Sequence, residues 1–394
     1  MKKNLFLKVL GLAVMFTACS SEEGEMNLQV NHLANELNLQ TLSYEDISSL
    51  LVDVSHSGKS IVLNNGNTTP WDITVFRDGK TTISGLDDAV FYKSRDKDST
   101  FLTLASDYAT LRLTHNGQSI NYVAYKNKDR MKDVAQFYMK EFATTRSSSN
   151  TNNISFIYKE STRSTNQDIV CVALNIGEII KAHRSGLNDL HYDYIMPEVS
   201  KGANESSRIV TRTSGEPKSV YVVCLIEQGV QLLPNEISWQ MQDAATALYD
   251  ISEDYIKLDF RLIKSDFVVT GDDAHAKLAN FRSKLLSIEE FNDYSDQMFY
   301  LLGFGLWDSD TAGVAYVDTY SASTPLGGFW ACGLSAVSSL FPSTLAHEMG
   351  HTLGALHVDD KWDLMATSNE TMGRGKLHLD DKNRQKIMNN IIWE

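Results

Sequence analysis

Ala346-His347-Glu348-Met349-Gly350-His351-Thr352-Leu353-Gly354-Ala355-Leu356-His357, followed closely by Asp363-Leu364-Met365, is the stretch from which the rest of this chain is best read. It fills every fixed position of H-E-x-x-H-x-x-G-x-x-H and adds a methionine one short loop later. His347 and His351 are four residues apart, so on a helix their side chains stack on one face and both imidazoles can reach one metal ion. Glu348 lies beside that face, placed to hold a water without being a ligand. Leu345, Met349 and Thr352 fall on the other side, where the helix can enter a core. Gly354 has no Cβ and can take the positive φ that ends the helix and swings the chain back, bringing His357 to the same metal. Three neutral imidazoles leave a fourth tetrahedral position open, the arrangement of a catalytic rather than a structural zinc.

A lone histidine is far more often a surface or core residue than a ligand; the joint spacing with Glu348 and Gly354 reverses that expectation. The segment resembles the zinc-binding consensus of the metzincin metallopeptidases. Met365 then matches the methionine that floors their metal site, and as a bare residue it reads as a core gap-filler.

The 394 residues suffice for two or three domains. Met1-Lys2-Lys3-Asn4 precedes an apolar run from Leu5 to Phe16, which is too short for a mature membrane span, and small residues follow. This reads as a bacterial export signal over residues 1–18. Phe16-Thr17-Ala18-Cys19 resembles a lipobox, which makes Cys19 the lipidation site; plain secretion is the alternative. The acylated chain would be anchored to a membrane rather than span it, and Ser20 to Glu25 reads as a polar tether. The remaining cysteines, Cys171, Cys224 and Cys332, do not form a disulfide framework. Cys171 and Cys224 sit in apolar strands and read as buried thiols, with a Cys224–Cys332 bridge left open. Net charge is −14, and residues 213–394 hold 13 Lys+Arg against 26 Asp+Glu, which is −13. Excess acid in the half that carries the motif argues against a nucleic-acid partner; it reads first as a solvated acidic face and only mildly favours basic substrates.

From Ser60 to Lys126 short alternating strands are separated by turns such as Asp78-Gly79 and Asn116-Gly117, the pattern of antiparallel hairpins. A helix is predicted over Arg130–Phe142. Ser147 to Asn153 reads as a linker. A second small unit is predicted beyond it, with strands near Ile154–Tyr158 and Ile169–Leu174 and a helix over Gly177–His183. Ser200 to Pro217 has almost no apolar periodicity and is the best domain boundary. It also presents Arg208 and Arg212 where a trypsin-like protease could cut. Beyond it the pattern becomes mixed α/β: strands over Val220–Ile226, Leu258–Val269 and Met298–Leu302, an edge strand over Gly313–Val317 and a last strand near Trp330–Leu334. Helices are expected after Pro234, over Asp273–Ile288, from Pro342-Ser343-Thr344 into the motif, and over Asp380–Ile391. The fold class is therefore α+β: a mainly antiparallel β unit with helices, followed by a mixed-sheet unit of zincin type.

The resemblance extends beyond the motif. Ser94-Arg95-Asp96-Lys97-Asp98-Ser99-Thr100, Thr211-Arg212, Glu216 to Val222 and Gln240-Met241-Gln242-Asp243-Ala244-Ala245 are similar to the fragilysin-type metalloproteases, a group of secreted toxins. This implies an inhibitory prodomain over residues 19–212, a catalytic domain over 213–394, and activation by cleavage between Arg212 and Thr213. It also implies that an aspartate of the prodomain blocks the zinc. Asp193, in Tyr192-Asp193-Tyr194-Ile195, is the match, with His191, Asp189 and Cys171 as lesser candidates. The catalytic role then falls to Glu348 as general base and acid. An extended protein or peptide substrate would lie antiparallel to the edge strand around Val314–Val317. Thr367 stands where some metzincin branches carry a tyrosine. Ala366 to Lys376 would wall the specificity pocket; Glu370 there reads first as a surface glutamate, with a preference for a basic side chain as the alternative. The partners expected are such substrates, an activating trypsin-like protease and, through the lipid, a membrane; the chain is expected to be a monomer. The precursor would sit at the outer membrane or cell surface and release its catalytic domain outside the cell. A structural calcium is left open, since Asp272-Asp273 and Asp308/Asp310 read as ordinary loop acids. The competing class is a surface lipoprotein whose zinc fold serves binding or adhesion.

Overall fold

The computed structural model describes residues 42–63, 71–79, 81–94, 100–115, 118–143, 171–175, 191–196, 218–252, 256–289, 297–308, 311–320, 331–337, 343–360, 363–367 and 379–391. The export signal, Cys19, Asp189, Arg212, Thr213 and Glu370 lie outside these, as do the expected strand near Ile154 and helix near Gly177.

The N-terminal unit is a seven-stranded antiparallel sheet in the order β1 (Lys59–Leu63), β2 (Trp71–Asp78), β4 (Val90–Ser94), β5 (Phe101–Leu104), β6 (Tyr108–His115), β7 (Gln118–Tyr125) and β8 (Val172–Asn175). The antiparallel pattern read from the sequence is present, with β6 paired to β7 from Tyr108↔Tyr125 to His115↔Gln118, but the strand after Asp78-Gly79 does not fold back on β2: it leaves for the second sheet. β8 belongs to this same sheet, paired antiparallel with β7, rather than to a second small unit. One face of the sheet packs under α1 (Tyr44–Leu51), with Ile47, Leu51, Tyr92, Leu111, Tyr122 and Cys171 in that core. α1 starts at a capping box in which Ser43 and Asp46 exchange side-chain and backbone bonds. α2 (Lys128–Ala143) covers part of the other face through Met131, Val134 and Tyr138.

The second sheet runs in the order β3 (Thr82–Ser84), β11 (Ile256–Lys264), β10 (Lys218–Ile226), β12 (Met298–Gly303), β14 (Cys332–Ala336), β13 (Thr311–Tyr316) and β9 (His191–Ile195). All its pairings are parallel except β13 with β14. Its central strands are buried on both faces, so successive residues serve two cores. Val220, Val222, Cys224, Met298 and Tyr300 point into one, and Val223, Leu225, Phe299 and Leu301 into the other. The second core is closed by α4 (Ala274–Leu286), which lays Leu278, Phe281 and Leu285 on the sheet. A side chain as large as Phe281, fully buried, contributes about 1.5–3 kcal/mol. The first core is closed by α3 (Pro234–Ile251), α5 (Thr344–Thr352) and α6 (Asp381–Ile391).

Two of the strands break the expected separation of the halves. β3 and β9 come from the N-terminal part of the chain yet occupy the two ends of the second sheet. The segment around Val314 is therefore not an edge in this state, because β9 pairs with it. β11 stops at Lys264, short of Val269, since Ser265 turns the chain by bonding back to the Ile226 carbonyl. Cys224 and Cys332 are both free thiols, so the bridge left open above is absent. Among the described residues no helix is long and apolar enough to cross a membrane.

Candidate metal centre and cleft

α5 carries the first two histidines and begins at Ser343, where the Pro-Ser-Thr signal placed it. All nine of its residues are buried, the polar ones included. Its C-terminus closes as a Schellman turn: Gly354 has φ +95, its N–H donates to the His351 carbonyl, and the Ala355 N–H donates to the Gly350 carbonyl. The backbone N–H groups of Asp318, Thr319 and Tyr320 satisfy the last carbonyls of α5, at His351 and Thr352.

This turn delivers His357. The three Nε2 atoms lie 3.0 Å (His347–His351), 3.0 Å (His351–His357) and 3.2 Å (His347–His357) apart. His347 donates from Nδ1 to the Leu364 carbonyl at 2.6 Å, and His351 from Nδ1 to the Ala355 carbonyl at 2.9 Å. With Nδ1 carrying the proton, each Nε2 presents a lone pair to the same point, so the short Nε2 separations are not hydrogen bonds. Tetrahedral zinc with bonds of about 2.0–2.1 Å would set its nitrogens roughly 3.3 Å apart, and the trio fits that ion. Burial, then the neighbouring imidazoles, hold the His347 pKa well below its ordinary value, and burial likewise brings that of His351 down to about 3. Neutral imidazole is the form that ligates a metal.

Three glycine-lined approaches shape the surroundings. Met365 is fully buried, and a Cβ on Gly350 would come within 2.5 Å of its sulfur. Glu348 is fully buried, and a Cβ on Gly313 of β13 would come within 2.2 Å of Glu348 Oε1. Both glycines are the space in which a functional side chain sits. A Cβ on Gly354 would crowd Asn390 and Asp318 at 2.9 and 3.0 Å, so the turn is pinned against α6 as well. Gly350→Ala tests the Met365 contact. Alanine is the better helix former by about 1 kcal/mol, while overpacking costs about 1–3 kcal/mol. The expected net result is a loss of up to about 2 kcal/mol in urea unfolding. A variant more stable than the parent would show that Met365 does not fill that space.

Two residues missed in the motif hold it together. Asp363 is fully buried and accepts the Met365 N–H at 2.7 Å and the Asp380 N–H at 2.6 Å. It thereby ties the loop whose Leu364 carbonyl orients His347 to the start of α6. Asn383 of α6 clamps the backbone of Leu356, accepting its N–H at 2.9 Å and donating to its carbonyl at 2.7 Å, one residue before His357. An acid two residues before the methionine was visible in the sequence; the Asn383 contact had no sequence signal.

β9 lies over this centre. Asp193 stands opposite Val314 and Tyr194 opposite Ala315, and the strand runs parallel to β13. The Tyr194 ring centroid is 5.0 Å from those of both His351 and His357. His191 pairs farther along, at Thr311. Cys171 is buried in the core under α1, its pKa pushed up to about 12 by burial. Of the acids considered for calcium, Asp273 caps α4 through the Ala276 N–H, and Asp308 accepts the N–H groups of Ala274 and Thr311.

Residues 36–179 match a family model described as the N-terminal domain of fragilysin. The chain is also similar to the crystal structure of metalloproteinase-II from Bacteroides fragilis, with 25% identity, a TM-score of 0.72, and coverage of 89% of this chain and 96% of that one. The chain is thus similar to fragilysin in its N-terminal domain and to a metalloproteinase over most of its length. Its fold is the expected α+β one, an antiparallel sheet before a mixed one, as in that metalloproteinase. Archaemetzincin from Methanopyrus kandleri covers 45% of this chain and 97% of its own, at 15% identity and a TM-score of 0.28, a likeness too distant to bear on the argument.

Proposed function

We propose that this chain is a zinc endopeptidase made as a latent precursor, with residues 19–212 as prodomain and 213–394 as catalytic domain. The observation that carries the reading is β9 seated on β13 directly over three converging Nε2 atoms, with Asp193 opposite Val314. His347, His351 and His357 would hold a zinc ion, which would supply the Lewis acidity that makes water nucleophilic and polarises a peptide carbonyl. Glu348, held against β13 in the space left by Gly313, takes the proton of the attacking water and passes it to the leaving amine. The Leu364 and Ala355 carbonyls keep the first two imidazoles neutral and aimed. β13 offers its main chain to an extended substrate, which would run antiparallel to it.

β9 takes the same strand position in the opposite sense, so its amide groups are reversed relative to a substrate, which accounts for a strand that occupies the cleft without being cut. Asp193 is the residue assigned to the metal in the latent state. Cleavage between Arg212 and Thr213 by a trypsin-like protease opens the way to activity. The precursor is exported and held at a membrane by lipid on Cys19.

The test uses the chain without its export signal, before and after trypsin. Proteolysis of an unfolded protein and bound zinc are measured together. Low activity before the cut, high activity after it and loss of both activity and zinc on chelation are expected. Equal activity before and after would overturn latency. Zinc retained with no proteolysis in any state would favour the binding-module reading.

A further inference from the structure

We infer that cutting between Arg212 and Thr213 does not itself release the N-terminal unit, which remains a tightly held ligand of its own catalytic unit through an anchor at the sheet edge far from the metal. This rests on the latent-precursor reading. The anchor is β3. It extends the catalytic sheet beyond β11, pairing parallel from Asp259↔Thr82 to Arg261↔Ser84, at the opposite end of the sheet from β13. Ile83 is buried and belongs to the catalytic core itself, packed with Leu258, Phe260 and Val222. Thr82 Oγ1 donates to the Asp259 carboxylate, which Lys257 also pairs at 2.9 Å. Gly85 leaves the strand with φ +103, and a Cβ there would meet the Leu262 carbonyl oxygen at 2.9 Å, so the turn is shaped to lie on β11.

Between the two strand anchors the N-terminal sheet and α2 hold α3 through a shared apolar cluster that includes Trp239 and through polar groups. Tyr108 meets Ser238 at 2.6 Å, Tyr125 donates to Asn235 at 3.0 Å, Asn235 donates to Tyr138 at 2.8 Å, and Gln242 donates to the Tyr92 carbonyl at 3.0 Å. Every partner in these contacts lies within residues 42–196 on one side and 218–337 on the other. Hydrolysis of one peptide bond at 212–213 removes none of them. The cut turns an intramolecular arrangement into a complex held at several points at once, which separates only when all let go together. The polar outer face of α3, with Asn235, Ser238, Gln242 and Asp243, can meet water once bared.

The test uses the full chain carrying Glu348→Ala, so that no self-digestion follows, with the site of a sequence-specific protease placed at residues 212–213. After complete cleavage both fragments are expected to leave a native size-exclusion column together, at the volume of the uncut chain. Ile83→Asp is expected to speed their separation at least tenfold, roughly as loss of one of several linked contacts does. The melting of the uncut variant checks that it folds, and Thr82→Ala provides a milder variant on the same strand. Fragments that separate at once overturn the inference. Co-elution with a dissociation rate unchanged by either variant overturns the far-edge anchor. If the cut complex persists but the chain with Glu348 intact shows no proteolysis even after the N-terminal unit has been digested away, the proposed function fails and this inference stands.

Discussion

Glu348→Ala is expected to cut peptide hydrolysis by the activated chain roughly 10²–10⁴-fold, the usual worth of a positioned general acid and base. Zinc content should not change, because the atoms that could hold the metal are the three imidazole Nε2 atoms and Glu348 is not among them. The fold should also hold. The carboxylate is fully buried against Gly313, and alanine there removes a buried polar group and adds no bulk. The loss should therefore fall on kcat, with KM for an extended substrate set by β13 and left nearly as it was. Activity within about two-fold of the parent, at equal zinc content, would remove Glu348 from the chemistry.

The second large effect lies far from the metal. Arg112 of β6 donates to Asp243 of α3 at 2.6 Å, with both side chains only 5% exposed. Burial raises the Asp243 carboxyl above its ordinary range, opposed by the Arg112 guanidinium and a weaker bond from Ser343. Removing Arg112 would leave that acid buried without its cation, which costs about 3–5 kcal/mol. Arg112→Ala is accordingly expected to lower the stability of the uncut chain by that amount in denaturant unfolding. Replacing both partners by leucine should recover most of it, because neither charge is then stranded. A single-mutant loss below about 1 kcal/mol would mean that the pair is hydrated and weak.

Much of the centre was legible in the chain because it is local. Histidines four residues apart on one helix, a glycine at the turn and a third histidine three residues on are relations fixed by helix geometry and by the φ that only glycine takes easily. The buried strands were legible as apolar runs, although β11 ended early where Ser265 turned back on Ile226. β8 was misplaced because a four-residue strand, Val172–Asn175, does not say which strand it will pair with. β3 escaped notice for a related reason: three residues, Thr82-Ile83-Ser84, carry almost no periodicity.

His347, Glu348, His351, Gly354, His357 and Met365 were determined by the sequence alone, since their relations span at most nineteen residues and follow from backbone geometry. Only the tertiary structure decided that β13 is covered, that β3 and β9 close the two ends of the catalytic sheet, and that Asp363 and Asn383 brace the ligands. Those contacts join residues far apart in the chain or unmarked by any local pattern. Pairing of that kind is settled by which buried surfaces and backbone groups satisfy one another after the chain has closed.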